Sequence, residues 1–175
     1  SIIRRTGTGM ADEACQLLDD ARAEMRLLDL TPVPLDLREV LAVNVAVLGG
    51  MSQSHAIAHR TSEDADVVVH VDPGALQQVL GHLLENAVKY SPRGSTVVVA
   101  ARRDEDGVLI DVTDAGVGVP DDIDVFAPFE RGDTETAGAG LGLYIVRNLV
   151  QAMGGDITAW RNPDQGSTFS IRLPA

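Results

Sequence analysis

The chain has 175 residues, of which 45% are hydrophobic, 23% charged and 3% aromatic, a composition typical of one globular domain with an aliphatic core. Its net charge of −12 opposes binding to nucleic acid or to an anionic membrane surface, since both need a basic footprint. No apolar run is long enough to cross a bilayer, and the single cysteine, Cys15, allows no intrachain disulfide, so we expect a soluble piece from a reducing compartment.

The first thirty residues predict an appendage to the main domain. Residues 1–10 have no periodicity and are expected to be a loose end, whereas apolar residues between 11 and 28 recur at helical spacing. The helix predicted there has one apolar face, which packs either on its own domain or in a dimerising module. Pro32 and Pro34 forbid a helix before them, which predicts a linker or domain boundary at about 29–34.

The centre of the sequence is an amphipathic helix at 72–91, with Asp72 as its cap and Pro73 in its first turn. A helix at about 37–48 and β-segments near 55–60 and 66–71 are expected before it. Asn86 lies on the polar face of the central helix, and because Asn is a weak helix former, this position suggests that the amide is used. An ordinary solvated face is the alternative.

The rest of the sequence predicts a sheet and one more helix. Strands at 96–102 and 107–114 are expected to form an antiparallel pair, followed by a helix at 140–153 and strands at 155–160 and 167–174. The predicted fold class is α/β (α+β): a two-layer sandwich of a mixed, largely antiparallel sheet covered by helices on one face and preceded by a short helix. The domain boundary falls between 1–30 and 31–175.

Three stretches of the sequence could form a ligand site. Asp114 ends a predicted strand just before Gly116 and Gly118, so a carboxylate acceptor lies beside backbone that a ligand can approach closely. The glycine-rich run at 138–142 opens a helix, whose free amides can bind an anion. Residues 125–133 combine two phenylalanines with Arg131, a composition suited to a lid over phosphates. Each stretch also has an alternative without a ligand: a simple turn after Asp114, a hinge at 138–142, and an ordinary surface arginine at Arg131.

Together these motifs resemble the ATP-binding catalytic domain of sensor histidine kinases, in the superfamily that also contains gyrase, a heat-shock chaperone and MutL. "HLLENAVKYS" resembles the N box, "DAGVGVP" the first glycine box, "VFAPFERGD" the F box, "GAGLGLYIV" the second glycine box and "QGSTFSIRLP" the closing glycine-Thr-Phe segment. The resemblance covers about residues 35–175 and implies the Bergerat-type ATP-binding fold, with ATP and Mg²⁺ as cofactors.

The resemblance also implies roles for single residues. Asn86 would hold the Mg²⁺ that bridges the phosphates, Lys89 would meet phosphate, and Tyr90 would lie against the adenine or ribose. Asp114 would accept the adenine amine. The further residues implied are Gly116 and Gly118 in the adenine pocket, Thr168 supporting it from the last strand, Arg131 at the phosphates, and Gly138, Gly140, Leu141 and Gly142 at the hinge and helix end.

The sequence departs from the family pattern at three points. His82 stands where these kinases usually have Asn and the ATPase relatives have the water-activating Glu, so efficient ATP hydrolysis is not expected. Whether His82 has a catalytic role at a phosphate or only a packing role stays open. The lid from Arg131 to Gly140 is short, which predicts weak nucleotide binding. Finally, none of the four histidines lies in a segment that resembles the family's phosphorylated "HELRTP".

The resemblance therefore implies a catalytic fragment that does not phosphorylate itself. The phosphorylated histidine would lie on an upstream dimerisation domain, from which the phosphoryl group passes to a response-regulator aspartate. The full-length protein would be a homodimer anchored in the bacterial inner membrane with this domain in the cytoplasm, and the fragment a monomer. The rival functions are a nucleotide-binding sensory module without transfer activity and an anti-sigma-factor serine kinase.

Overall fold

The computed structural model of the chain describes residues 29–51, 54–63, 65–129 and 140–175. The predicted helix at 11–28, Arg131 and Gly138 lie outside this range. The elements are β1 (Val33–Asp36), α1 (Leu37–Met51), β2 (Ala56–His59), β3 (Val68–Val71), α2 (Pro73–Tyr90), β4 (Thr96–Arg103), β5 (Val108–Thr113), α3 (Gly142–Ala152), β6 (Asp156–Arg161) and β7 (Ser167–Leu173).

The main sheet has five strands in the order β2-β4-β5-β7-β6. Only β2 and β4 are parallel, and the other neighbours are antiparallel. The register places Val99, Val112, Phe169 and Ala159 side by side across four strands, on the face that the helices cover. The opposite face carries polar side chains such as Asp111 and Ser170 in the same register. The predicted two-layer sandwich with a mixed, largely antiparallel sheet is confirmed.

Helix α2 is the central element of the core. Its apolar residues are buried at the predicted helical spacing: Ala75, Leu76, Val79, Leu80, Leu83, Leu84 and Ala87. Asp72 caps the helix by accepting a hydrogen bond from the Ala75 N–H at 2.8 Å. Pro73 follows in the first helical turn, where its missing N–H is not needed. The polar face of α2 is thereby held in a fixed orientation above the sheet.

The prediction of a linker at 29–34 is wrong for its last residues. Val33 and Pro34 belong to β1, which pairs with β3 in a separate antiparallel sheet, with Val33 opposite Val71. A proline is compatible with this position because each strand of a two-stranded sheet is an edge strand with one unpaired side. In the described part of the chain no helix is long and apolar enough to cross a membrane.

Candidate functional site

The Asp114 carboxylate is buried at the end of β5 and only 7% exposed. Its Oδ1 accepts hydrogen bonds from the main-chain N–H groups of Gly116, at 2.7 Å, and Ser167, at 3.2 Å. Burial raises the pKa of Asp114, and these hydrogen bonds to the ionised form oppose the rise. The result is a carboxylate fixed in one orientation through one oxygen, a suitable acceptor for an amine.

The backbone next to Asp114 approaches the end of α2 closely. A Cβ on Gly116 would lie 2.7 Å from the Tyr90 carbonyl oxygen and 2.9 Å from Asp114 Oδ1, so no side chain fits there. Gly118 adopts a positive φ of 82°. The two predicted glycines therefore have a steric and a conformational reason to be glycine, and they bring Tyr90 beside the carboxylate.

The polar face of α2 carries the other predicted residues of the helix. Asn86 is half-buried, whereas Lys89 and Tyr90 are exposed near the helix end. The Lys89 Nζ lies 5.1 Å from the centre of the Tyr90 ring, within cation–π range. Asn86, Lys89 and Tyr90 thus follow one side of α2 toward Asp114.

The start of α3 lies beside the same face of α2. The His82 Nδ1 would be 3.8 Å from a Cβ on Gly142, which places the imidazole against the first residue of α3. Leu141 precedes the helix and makes no side-chain cap, so the first N–H groups are not capped by that residue. Gly140 has φ 71° and its carbonyl accepts from the Phe129 N–H at 3.0 Å. His82, Gly140, Leu141 and Gly142 are therefore neighbours.

Thr168 is not where the resemblance implied. Its hydroxyl bonds to Thr113 Oγ1 at 3.1 Å and to Asn162 Oδ1 at 2.9 Å, on the sheet face away from the helices. Ser167 supports the Asp114 region instead: its N–H bonds to the carboxylate, and its hydroxyl accepts from the Val119 N–H at 2.9 Å. Successive strand residues point to opposite faces, so the residue that supports Asp114 is one position earlier.

A pocket of about 420 Å³ opens beside this loop. Two predicted residues, Tyr90 and Gly116, line it, together with residues to which the sequence analysis gave no individual role: Pro92, Val117, Arg161, Asn162, Pro163, Asp164, Gln165 and Gly166. Arg161 and Gln165 also donate to main-chain carbonyls of the loop, at Val119 and Ala115. Hydrogen bonds from a side chain to distant backbone have no sequence pattern, so these two contacts were not predicted, although Gln165 begins the closing segment that resembles the family.

The two phenylalanines predicted to anchor a lid differ from each other. Phe126 is buried and packs edge-on against Phe169, with ring centroids 6.3 Å apart. Arg147 of α3 stacks over Phe126 and forms a 2.7 Å ion pair with Asp124. Phe129 is more exposed and has a positive φ of 64°. Phe126 therefore anchors this segment to the core.

A fixed buried carboxylate, a glycine loop and a helix end beside a polar helix face define a nucleotide-binding α/β sandwich. Residues 71–175 match the family model described as "Histidine kinase-, DNA gyrase B-, and HSP90-like ATPase". The chain is 34% identical to the sensor-like histidine kinase SenX3 of Mycobacterium tuberculosis, over 95% of this chain and 42% of SenX3. It is 35% identical to the sensor protein KdpD of Escherichia coli, over 90% of this chain and 18% of KdpD.

Solved structures agree with these relatives. The mycobacterial sensor histidine kinase MprB superimposes with a TM-score of 0.72 and 27% identity, covering 82% of this chain and 97% of that one. Full-length ShkA in complex with AMPPNP superimposes with a TM-score of 0.73 and 31% identity, covering 84% of this chain and 32% of ShkA. The chain belongs to the histidine kinase-, gyrase B- and HSP90-like ATPase family. The predicted resemblance to the ATP-binding catalytic domains of sensor histidine kinases is confirmed.

Proposed function

We propose that this chain binds Mg²⁺-ATP and presents the γ-phosphate to a histidine on a separate helical domain, from which the phosphoryl group passes to a response-regulator aspartate. The chain spans less than half the length of its curated relatives SenX3 and KdpD, so the acceptor domain belongs to the proposal. The observation that carries it is the buried carboxylate of Asp114, held by the main-chain N–H groups of Gly116 and Ser167, inside the matched region. The AMPPNP complex of ShkA supports an adenine nucleotide as ligand.

The proposed site follows one side of α2. The adenine amine bonds to the Asp114 carboxylate, Tyr90 lies against the base or ribose, and Lys89 meets the phosphates. The start of α3, at Leu141 and Gly142, adds its free amides. Phosphoryl transfer needs mainly positioning and charge neutralisation, which these groups provide without a protein nucleophile. Arg131, outside the described residues, is proposed as a further phosphate ligand.

Asn86 is the residue proposed to hold Mg²⁺. Mg²⁺ at nucleotide sites usually keeps several waters and binds one or two protein oxygens plus phosphate. The amide oxygen of Asn86 beside bound phosphates would match this pattern of few protein ligands. The described residues contain no group of three or more His, Cys, Asp or Glu side chains that could hold a metal ion. The ion would neutralise phosphate charge. His82, one turn before Asn86 and beside Gly142, is proposed to face the same region.

The remaining proposals concern the whole protein. We infer that residues 1–30 are the tail of a dimerisation and phosphoacceptor domain and that 31–175 form the catalytic domain. The full-length protein is then a homodimer, with this domain in the cytoplasm and an anchor in the bacterial inner membrane. These proposals rest on the sensor kinases to which the chain is similar.

Calorimetric titration with AMPPNP, with Mg²⁺ or with EDTA, tests the nucleotide site. We expect binding to the unaltered chain, a loss of at least about tenfold for Asp114→Asn, and a loss of the Mg²⁺ dependence for Asn86→Ala. Asp156→Asn, an exposed carboxylate on β6, is the matched control and should bind normally. Absence of binding to the unaltered chain at millimolar ligand would contradict the proposal.

A transfer assay separates the kinase from its rivals. The chain is incubated with γ-labelled ATP, alone and with a separately produced helical domain that contains the acceptor histidine. We expect acid-labile, base-stable label on the added domain only. Binding without transfer would favour a sensory module, and label on a serine of a partner would favour a serine kinase.

A further inference from the structure

The peptide group between Ala115 and Gly116 is held at both ends. Its N–H, from Gly116, donates to Asp114 Oδ1 at 2.7 Å. Its C=O, from Ala115, accepts from Gln165 Nε2 at 2.8 Å. Because the two groups lie on opposite sides of one planar peptide, holding the carbonyl also fixes the direction of the N–H.

From this geometry we infer that Gln165 is a positioning residue of the site: it holds the Ala115–Gly116 peptide in the orientation that aims the Gly116 N–H at Asp114. Residue 116 has no side chain, so the peptide before it can rotate more freely than others. A rotated peptide would turn the Ala115 carbonyl toward the carboxylate, and two acceptors would face each other. The Gln165 amide opposes that rotation.

Gln165 is itself well placed for this task. It lies in the turn between β6 and β7, which is closed by a 2.9 Å hydrogen bond from the Asn162 N–H to the Gly166 carbonyl. The next residue, Gly166, lies so close to Asp114 that a Cβ would be 2.0 Å from its carbonyl oxygen. The Asp114 N–H donates to the Ser167 carbonyl at 2.9 Å, so the turn cannot move away from the loop without breaking this hydrogen bond between the ends of β5 and β7.

The N–H of Ala115 has a weaker anchor on the other side, since it donates to Ser91 Oγ at 3.3 Å. Ser91 follows α2 and Gln165 belongs to the β6–β7 turn, so the loop is fixed between two separate elements. The titratable side chains that line the adjoining pocket are Tyr90, Arg161 and Asp164. A neutral substitution of Gln165 changes none of them.

The test replaces Gln165 by Met, which keeps the length and removes the donor, with Gln151→Met, the same substitution at an exposed glutamine near the end of α3, as control. Without nucleotide, we expect the Gly116 amide hydrogen to exchange about fivefold faster in Gln165→Met, the equivalent of one modest hydrogen bond. The Asp114 carboxyl, followed by carbon NMR, should titrate at higher pH because its N–H partner is loosened. Gln151→Met should match the unaltered chain in both the exchange rate of the Gly116 amide and the titration of the Asp114 carboxyl.

The role in ligand binding rests on the proposed function, so it is measured separately. AMPPNP affinity should fall about fivefold in Gln165→Met and stay unchanged in Gln151→Met. Altered exchange and titration in a chain that binds no nucleotide would keep the positioning role and reject the proposed function. Unchanged exchange and titration in folded Gln165→Met would overturn the inference. If that variant does not fold, Gln165→Ala is judged by the same two readouts.

Discussion

The carbonyl oxygen of Tyr90, the last residue of α2, lies where a side chain on Gly116 would have to be, only 2.7 Å from the position that a Cβ would take. Gly116→Ala must therefore push the loop away from both α2 and Asp114. We expect a destabilisation of about 1–3 kcal/mol, the usual cost of overpacking, and a large loss of AMPPNP affinity. Urea unfolding and calorimetry measure the two effects.

Gly81→Ala is the matched control for that variant. Gly81 lies inside α2, and a Cβ added there would have nothing within 4 Å. An alanine fits the helix better than a glycine, so the free energy of unfolding should rise by about 0.5–1 kcal/mol. If Gly116→Ala and Gly81→Ala destabilised the chain equally, the close contact between Gly116 and the Tyr90 carbonyl would not be the cause of the loss.

The paired variants Ser167→Ala and Thr168→Val test which residue of β7 supports the site. The Ser167 hydroxyl accepts from the Val119 N–H, and its loss leaves that donor without this partner. We expect weaker AMPPNP binding for Ser167→Ala by about three- to tenfold, and normal binding for Thr168→Val. Normal binding for Ser167→Ala and weaker binding for Thr168→Val would instead support a role for Thr168 in the proposed adenine pocket.

The raised pKa of Asp114 should affect the pH dependence of both the free energy of unfolding and AMPPNP binding. Because burial raises the pKa of Asp114 above its unfolded value, the folded chain holds this proton more tightly than the unfolded chain. Between those two pKa values the contribution of Asp114 to stability is lost as the pH rises. The stability of Asp114→Asn relative to the unaltered chain should therefore increase with pH through this window, as measured by urea unfolding at several pH values.

AMPPNP binding provides the second readout for the same group. The adenine amine needs an ionised acceptor, so affinity in the unaltered chain should weaken on acidification, from a higher pH than an ordinary aspartate predicts. Asp156→Asn should leave both pH dependences unchanged. A stability advantage of Asp114→Asn that falls with rising pH would contradict the assigned direction of the shift.

The strongly periodic parts of the fold were predictable. The apolar spacing predicted α2 within one residue at each end and α3 within two, because a long buried stripe outweighs local preferences. Strand β1 was missed because the prolines that end a helix also suit an edge strand, and only its partner β3 distinguishes a strand from a linker. Long-range pairing of this kind leaves no local signal.

The site was predictable to the level of the motif but not of each side chain. Asp114 and Gly116 lie together as expected, since a strand end and a tight turn follow from local sequence. Thr168 was misplaced because a shift of one residue in a strand reverses the face that a side chain occupies. The role of Gln165 was not predicted, although the residue begins the closing segment, because its bond to Ala115 depends on two distant segments being packed together.

Asp72 joins two distant parts of the chain, and its removal should affect both. One oxygen accepts from the Thr31 N–H at 3.0 Å and the other caps α2 through the Ala75 N–H. These hydrogen bonds, the one from Thr31 first, lower the pKa of Asp72 below its ordinary value. The contribution of Asp72 to stability is therefore fully present above the unfolded pKa and is lost as the pH falls through the folded pKa. Asp72→Ala should cost about 1 kcal/mol at pH 7 in urea unfolding, and the difference from the unaltered chain should shrink in acid.

The control for this variant is Asp164→Ala, which removes an exposed carboxylate in the β6–β7 turn and should change stability little at either pH. A cost for Asp72→Ala that stays constant into strong acid would mean that the helix cap does not depend on the charge.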